Sequence, residues 1–357
     1  MRAFYEPLHE QLGTISKRQI AQLRPGSWQS NHSETEPYFQ EYTNLIRPGG
    51  RGVAGHESRF AFSRYFLAPG EADAPLAAYI GSLMAGARAD GRIAVFKFCR
   101  SQGRAAWFEQ HFPQALHAVV LRDPVAQWQS TQTLLHEKRN RYFTVAPLLV
   151  LARNAGHPLV REAVACLDVR LPELHSEDLA YGVELCWRHV KRQSDAERYR
   201  GFLAFWAATS LAALDSRALL IDATAMSSEP GHRSDVEGAL SGAIGEAVAL
   251  VPHADAGCPL LPGGACAEAH RAAAAMICAR RTRLEPARLN ILLGKLLPHG
   301  GHPAPGHPRR VVPFAEKSSR PPPRVVTAAL IVAANVLQQL RQLHGMSITR
   351  LRAIRSF

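Results

Sequence analysis

An α/β fold, a parallel sheet flanked by helices, is what this sequence predicts, on three observations. Ile93–Cys99 and His117–Leu121 are short, apolar, β-rich runs separated by Gly103–His111, which has helical spacing and is closed by Pro113. Ala218–Ala223 (ALLIDA) is a third run of the same kind, reached through a long helical stretch, and such alternation of strand and helix favours parallel pairing. With 357 residues and 46% hydrophobic content, the chain is long enough to bury a large core.

Taken in order, Phe4-Tyr5 predicts a short strand and Leu12–Leu23 a helix, followed by a polar, Gly/Pro-punctuated stretch from Arg24 to Arg59 expected as a long surface loop. Asp73–Ala85 has helical apolar spacing and feeds the strand at Ile93. The strand at His117 ends at Arg122, and Asp123 and Pro124 suit the N-cap and first position of the helix that follows. Ser130 lies two helical turns beyond Arg122, so both can face a crevice at the strand ends, where open α/β sheets bind nucleotides. His136–Phe143 is a charged stretch with two aromatic residues, expected as a solvated helix end.

Thr144–Leu214 is helical in pattern, with an amphipathic segment from Leu179 to Ala213 whose Trp187 and Trp206 are expected in the core and whose His189, Lys191 and Arg192 suit a wet face. The strand at Ala218 is followed by helices expected over Asp235–Ala249 and within Glu268–Leu297. Pro298–Pro323 is rich in Pro, Gly, His and Arg and lacks an apolar face, so a linker is expected, its His299, His302 and His307 incidental. Val325–Leu343 has helical apolar spacing, which together with Arg350, Arg352 and Arg355 predicts a basic amphipathic tail. The domain reading is therefore 1–297 as one α/β unit, 298–323 as linker and 324–357 as tail.

The formal net charge is +12, but residues 298–357 hold nine Arg or Lys against one acid, leaving +4 for residues 1–297. A mildly basic globular part suits a pocket for an anionic nucleotide and gives no support to nucleic-acid binding. Six dispersed cysteines, without a CxxC pair, exclude a recognisable zinc motif and favour free thiols in a reducing compartment. No h-region opens the chain and no apolar run reaches membrane-spanning length, so a cytoplasmic protein is expected.

Arg122-Asp123-Pro124 with Ser130 resembles the sulfotransferases. In that family a strand ends in Arg-(Asp/Asn)-Pro, and a Ser eight residues after the Arg joins it in holding the 3′-phosphate of 3′-phosphoadenylyl sulfate. Lys97-Phe98-Cys99 is similar to the Lys-Thr-His segment of the cytosolic members, with the Lys present and the His absent. Phe4-Tyr5-Glu6-Pro7-Leu8-His9 looks like the Tyr-Glu-Pro-Leu segment of the carbohydrate sulfotransferases, whose Glu lies beside the acceptor hydroxyl. The likeness covers roughly residues 3 to 250 and is strongest over 93–135.

The resemblance implies a P-loop-type sheet and transfer of a sulfuryl group from 3′-phosphoadenylyl sulfate to a hydroxyl of a glycan or other small acceptor, with no metal required. It implies Arg122 and Ser130 at the donor phosphate, Lys97 at the leaving group, and Glu6 as base with His9 in reserve. In-line transfer needs a cation where charge grows on the leaving phosphate and a base for the acceptor proton, a task a carboxylate performs better if burial raises its pKa. Arg100 and Arg104 flank the same crevice and can meet donor phosphates or acceptor acids, although surface arginine is the default.

The family's Gly/Ser/Thr-rich phosphosulfate loop, with its interior strand, is expected some tens of residues before Tyr-Glu-Pro, a position upstream of Met1. Pro48-Gly49-Gly50-Arg51-Gly52 is the nearby Gly-rich stretch, and it follows no convincing strand. The expected alternatives are a reading frame begun too late, a non-catalytic remnant that binds a 3′-phosphorylated nucleotide or a protein partner, and a P-loop small-molecule kinase dependent on ATP and magnesium.

Overall fold

The computed structural model describes residues 1–23, 37–245, 247–250, 264–280, 284–296 and 329–334. Five strands, β1 (Arg2–Tyr5), β2 (Ala94–Phe98), β3 (Leu116–Leu121), β4 (Leu219–Asp222) and β5 (Ala329–Ala334), form one sheet in the order β1-β2-β5-β3-β4. Every pairing is parallel. Around it run α1 (Lys17–Gln22), α2 (Ala74–Ala89), α3 (Ala105–His111), α4 (Pro124–Lys138), α5 (Tyr142–Arg153) and α6 (Pro158–Cys166). They are followed by α7 (Leu179–Lys191), α8 (Asp195–Leu214), α9 (Ala223–Ser228), α10 (Pro230–Ile244), α11 (Gly264–Cys278) and α12 (Pro286–Gly294).

The period-two geometry of a strand decides which apolar cluster each side chain enters. On β3, Val119 and Leu121 pack with α5–α8, while Leu116 and Ala118 point the other way, to Leu219, Ile221 and α10. On β2, Phe96 and Phe98 join Phe4, Tyr79 and Trp107 under α2 and α3. Apolar residues on both faces are what a parallel sheet covered by helices on both sides requires.

The local signals behave as their chemistry dictates. Asp123 accepts the Ala126 N–H at 2.9 Å with Pro124 in the first turn of α4, and Asp73 caps α2 through Leu76 N. The segment read as one helix over Leu179–Ala213 is two, because Ser194 and Glu197 form a capping box that starts α8 afresh. Trp206 lies in the core as expected, and Trp187 is partly buried beside Arg141 and Lys191. Cys186 is a buried free thiol, whereas Cys166 and Cys278 are exposed, and Cys258 lies outside the described residues.

Two expectations are corrected. The stretch read as a surface loop over 24–59 includes Tyr38, Phe39, Tyr42 and Val53, all buried. They cover the edge strand β1, with Tyr42 Oη donating to the Tyr5 carbonyl at 3.0 Å. Polarity misled because an edge strand with a buried face needs aromatic cover from whatever chain lies nearest. Residues 24–36 lie outside the described residues.

Helix was expected across Val325–Leu343, yet Ala329–Ala334 (ALIVAA) is β5, the central strand, with Lys97 in register with Val332 and Val119 with Ala333. A short, continuous apolar run containing Ile and Val fits an interior strand of a parallel sheet, and periodicity alone does not separate that from a helix. β2 and β3 both pair with β5, so this strand holds the two halves of the sheet in register. The 298–323 segment and its histidines, and the tail beyond Ala334, lie outside the described residues. Among the described residues, no helix is long and apolar enough to cross a membrane.

Candidate active site

Two strand ends and the turns that follow them build the site. β1 stops at Tyr5 and the chain turns at Glu6, whose φ of 47° is left-handed, a conformation costly for a residue with a Cβ. β2 stops at Phe98 and delivers Cys99 and Arg100 beside Glu6, while β3 stops at Leu121 and delivers Arg122. These ends open on a cavity of about 290 Å³. Glu6, His9, Arg100, Arg122 and Ser130 all line it, so five residues singled out in the sequence converge on one space.

On the β3 side, Arg122 Nη1 donates to Ser130 Oγ at 3.0 Å, and Ser130 Oγ donates to the Ala126 carbonyl at 3.1 Å. The Arg122 carbonyl accepts from Trp206 Nε1 at 3.0 Å, which ties the backbone of the arginine to α8. A guanidinium and a hydroxyl held together in a lined cavity can receive one anionic group between them.

On the β1–β2 side, the charges pair with one another. Glu6 Oε1 accepts from Lys97 Nζ at 2.7 Å, and Glu6 Oε2 accepts from Arg100 Nη1 at 2.9 Å and from the Cys99 N–H at 3.2 Å. Arg100 Nη2 donates to Tyr142 Oη at 2.7 Å, and that hydroxyl donates to Glu10 Oε1 at 2.9 Å. Lys97, Glu6, Arg100 and Glu10 thus form a chain of alternating charge, buried at Lys97 and Glu6 and partly buried at Arg100 and Glu10.

These contacts reverse one expectation. Burial does push the Glu6 carboxyl up, but Lys97 and Arg100 outweigh it and hold the group at about 2. A carboxylate so stabilised is a weak base, so Glu6 lacks the raised pKa that a base role calls for. His9 is pulled down to about 4, by burial first and the Arg100 charge second, and is neutral near pH 7. Its Nδ1 accepts the Gln11 N–H at 3.2 Å, which leaves the ring proton on Nε2 and makes His9 a donor rather than a base. Burial pushes the Cys99 thiol up to about 12, so it offers no thiolate nucleophile.

Two more assignments shift. Lys97 is buried against Glu6 and does not line the cavity, whereas Arg100 does. Arg104, expected to flank the crevice, is a structural clamp. Its guanidinium donates to the carbonyls of Phe60 (2.7 Å), Ser63 (2.9 Å), Arg64 (2.9 Å) and Arg100 (3.3 Å). The Gly-rich stretch at Pro48–Gly52 forms a turn, exposed over Pro48–Arg51 and buried at Gly52, in which Gly50 and Gly52 have φ of 77° and 72°. A Cβ on Gly52 would lie 2.3 Å from the Gly13 carbonyl oxygen, so that glycine serves a close chain crossing and is not a phosphate cradle.

Sequence reasoning missed Glu10 and Tyr142, which lie 132 residues apart and meet only in the fold. It also missed the aromatic wall of Phe62, Phe143, Phe202 and Phe205. Aromatic residues on a helical pattern look like core until the cavity beside them is seen. No His/Cys/Asp/Glu cluster capable of holding a metal occurs among the described residues. The chain matches no family model, no curated protein and no solved structure.

Proposed function

We propose that this cavity binds a 3′-phosphorylated nucleotide and that the protein is a sulfotransferase of P-loop type, moving a sulfuryl group from 3′-phosphoadenylyl sulfate to a hydroxyl of a carbohydrate or other small acceptor. One observation carries the reading: Arg122 Nη1 and Ser130 Oγ stand 3.0 Å apart on the wall of a cavity at the strand ends. They have the residue types and spacing of the sulfotransferase 3′-phosphate pair. The all-parallel sheet supports it only as far as an α/β fold whose strand ends carry the pair, since β5 comes from the far end of the chain and not from a segment ahead of β1.

The reaction divides along the same geometry. Arg122 and Ser130 anchor the donor, the aromatic wall shapes the space around adenine or acceptor, and Arg100 is the lining cation at the opposing strand end. The attacking oxygen approaches sulfur as the sulfur–oxygen bond to the 5′-phosphate breaks, and the departing adenosine 3′,5′-bisphosphate carries the charge.

A second reading, nucleotide binding without transfer, draws on the charge inventory. Glu6 and Glu10 neutralise Lys97 and Arg100, so these two cations bring little net positive charge to a cavity asked to hold a polyanion. Thermal unfolding with adenosine 3′,5′-bisphosphate tests what both readings share. The melting temperature of the full chain rises, and Arg122→Ala abolishes the rise. An unshifted wild type refutes both, while a shift with no bisphosphate released from 3′-phosphoadenylyl sulfate leaves only the binding reading. Dependence on ATP and magnesium would favour a kinase instead.

A further inference from the structure

The wall that α4 gives to the cavity is a stripe, and the stripe runs on past the last α4 residue that lines it. Gln127, Ser130, Thr131 and Leu134 all line the space. At helical spacing the next position on that face is Lys138, four residues after Leu134 and seven after Thr131. Lys138 is exposed, so α4 carries its cavity face out to solvent and ends it on a cation. The chain then turns at Arg139, also exposed, and returns to the cavity wall through Asn140, Tyr142 and Phe143.

Neither cation is spent on the protein. The side chains of Lys138 and Arg139 make no hydrogen bond or ion pair among the described residues, whereas Arg141 beside them pairs with Glu184 at 3.1 Å. Glu137 is the one acid between His136 and Arg141, so the turn stays net positive. Arg139 also has φ 53° and ψ 24°, the left-handed C-cap conformation that glycine adopts freely and a residue with a Cβ adopts at a cost. A helix end that forgoes glycine there keeps a guanidinium at the mouth.

We propose that Lys138, with Arg139 beside it, binds the second anionic group of the nucleotide, the one at the 5′ position, while Arg122 and Ser130 hold the 3′-phosphate. This rests on the nucleotide reading and supplies a cation it lacks, since Glu6 and Glu10 neutralise Lys97 and Arg100. Ser130 and Lys138 are eight residues apart on α4, about 12 Å at the rise of an α-helix. Helical side chains lean towards the N-terminus, so the lysine stem shortens that span by reaching back along its own face. The nucleoside bridges the rest, with Leu134 on the wall between the two anion sites.

Calorimetric titration of the full chain compares adenosine 3′,5′-bisphosphate with adenosine 3′-monophosphate, which lacks the 5′ group. The wild type binds the bisphosphate about tenfold more tightly or better, the worth of one charge-assisted contact. Lys138→Ala brings the bisphosphate to within about threefold of the monophosphate, whose own affinity stays put, and Lys138→Arg restores most of the gap. Arg139→Gly raises the melting temperature of the ligand-free chain, because the turn relaxes, and yet weakens the bisphosphate severalfold. A lysine that only complements the helix dipole would move stability and not the ratio between the two ligands. A wild type that does not distinguish the ligands, or a ratio unchanged in Lys138→Ala, overturns the assignment and leaves the nucleotide reading standing. An Arg139→Gly chain that binds the bisphosphate as tightly as wild type overturns the part given to Arg139. A wild type that binds neither nucleotide overturns the reading on which the assignment rests.

Discussion

Replacing Glu6 with Gln removes the negative charge that Lys97 and Arg100 share, and the size of the effect follows from its titration. The carboxyl is held at about 2 against an ordinary 4.5, because the two cations and the Cys99 N–H overcome the cost of burial. At roughly 1.4 kcal/mol for each tenfold change in acidity, that is about 3 kcal/mol of native-state stabilisation. The folded value is the depressed one, so the stabilisation is complete above pH 4.5 and disappears as pH falls towards 2. Urea unfolding of wild type and Glu6→Gln at about pH 5 and about pH 3 should show the gap between them shrinking by about 2 kcal/mol at the lower pH. A gap that stays constant across that range would mean the carboxylate is not held by its two cations, and the buried charge chain would have to be redrawn.

Three other substitutions or deletions separate structural roles from binding roles. Arg104→Ala orphans carbonyls at Phe60, Ser63 and Arg64, at about 1–3 kcal/mol for each buried group, so the melting temperature drops and Arg104→Lys does not restore it. Gly103→Ala, which puts a Cβ 2.7 Å from the Tyr65 carbonyl oxygen, destabilises the same corner in chemical denaturation. Ending the chain at residue 297 deletes β5, so β2 and β3 lose the strand that both pair with. The expected product binds 8-anilinonaphthalene sulfonate through newly exposed apolar surface and no longer unfolds in one cooperative step.

What was legible in the sequence is what is local. Arg122, Asp123, Pro124 and Ser130 lie within nine residues, and a strand end, an N-cap and two helical turns fix their relation without help from the rest of the fold. Glu6 and Lys97 were each recognised, but their contact spans 91 residues, and with it the reversal of the expected Glu6 titration. Arg104 misled because a guanidinium near a crevice looks the same in sequence whether it faces ligand or four carbonyls. β5 misled for a different reason: six apolar residues fit strand and helix equally, and only the backbone pairing with β2 and β3 decides.

The central claim is that one anionic group of a nucleotide sits between the Arg122 guanidinium and the Ser130 hydroxyl. A crystal structure of the full chain with adenosine 3′,5′-bisphosphate tests it most directly. The account predicts the 3′-phosphate within hydrogen-bond distance of both side chains. A nucleotide bound elsewhere, or a cavity empty at saturating ligand, would contradict it.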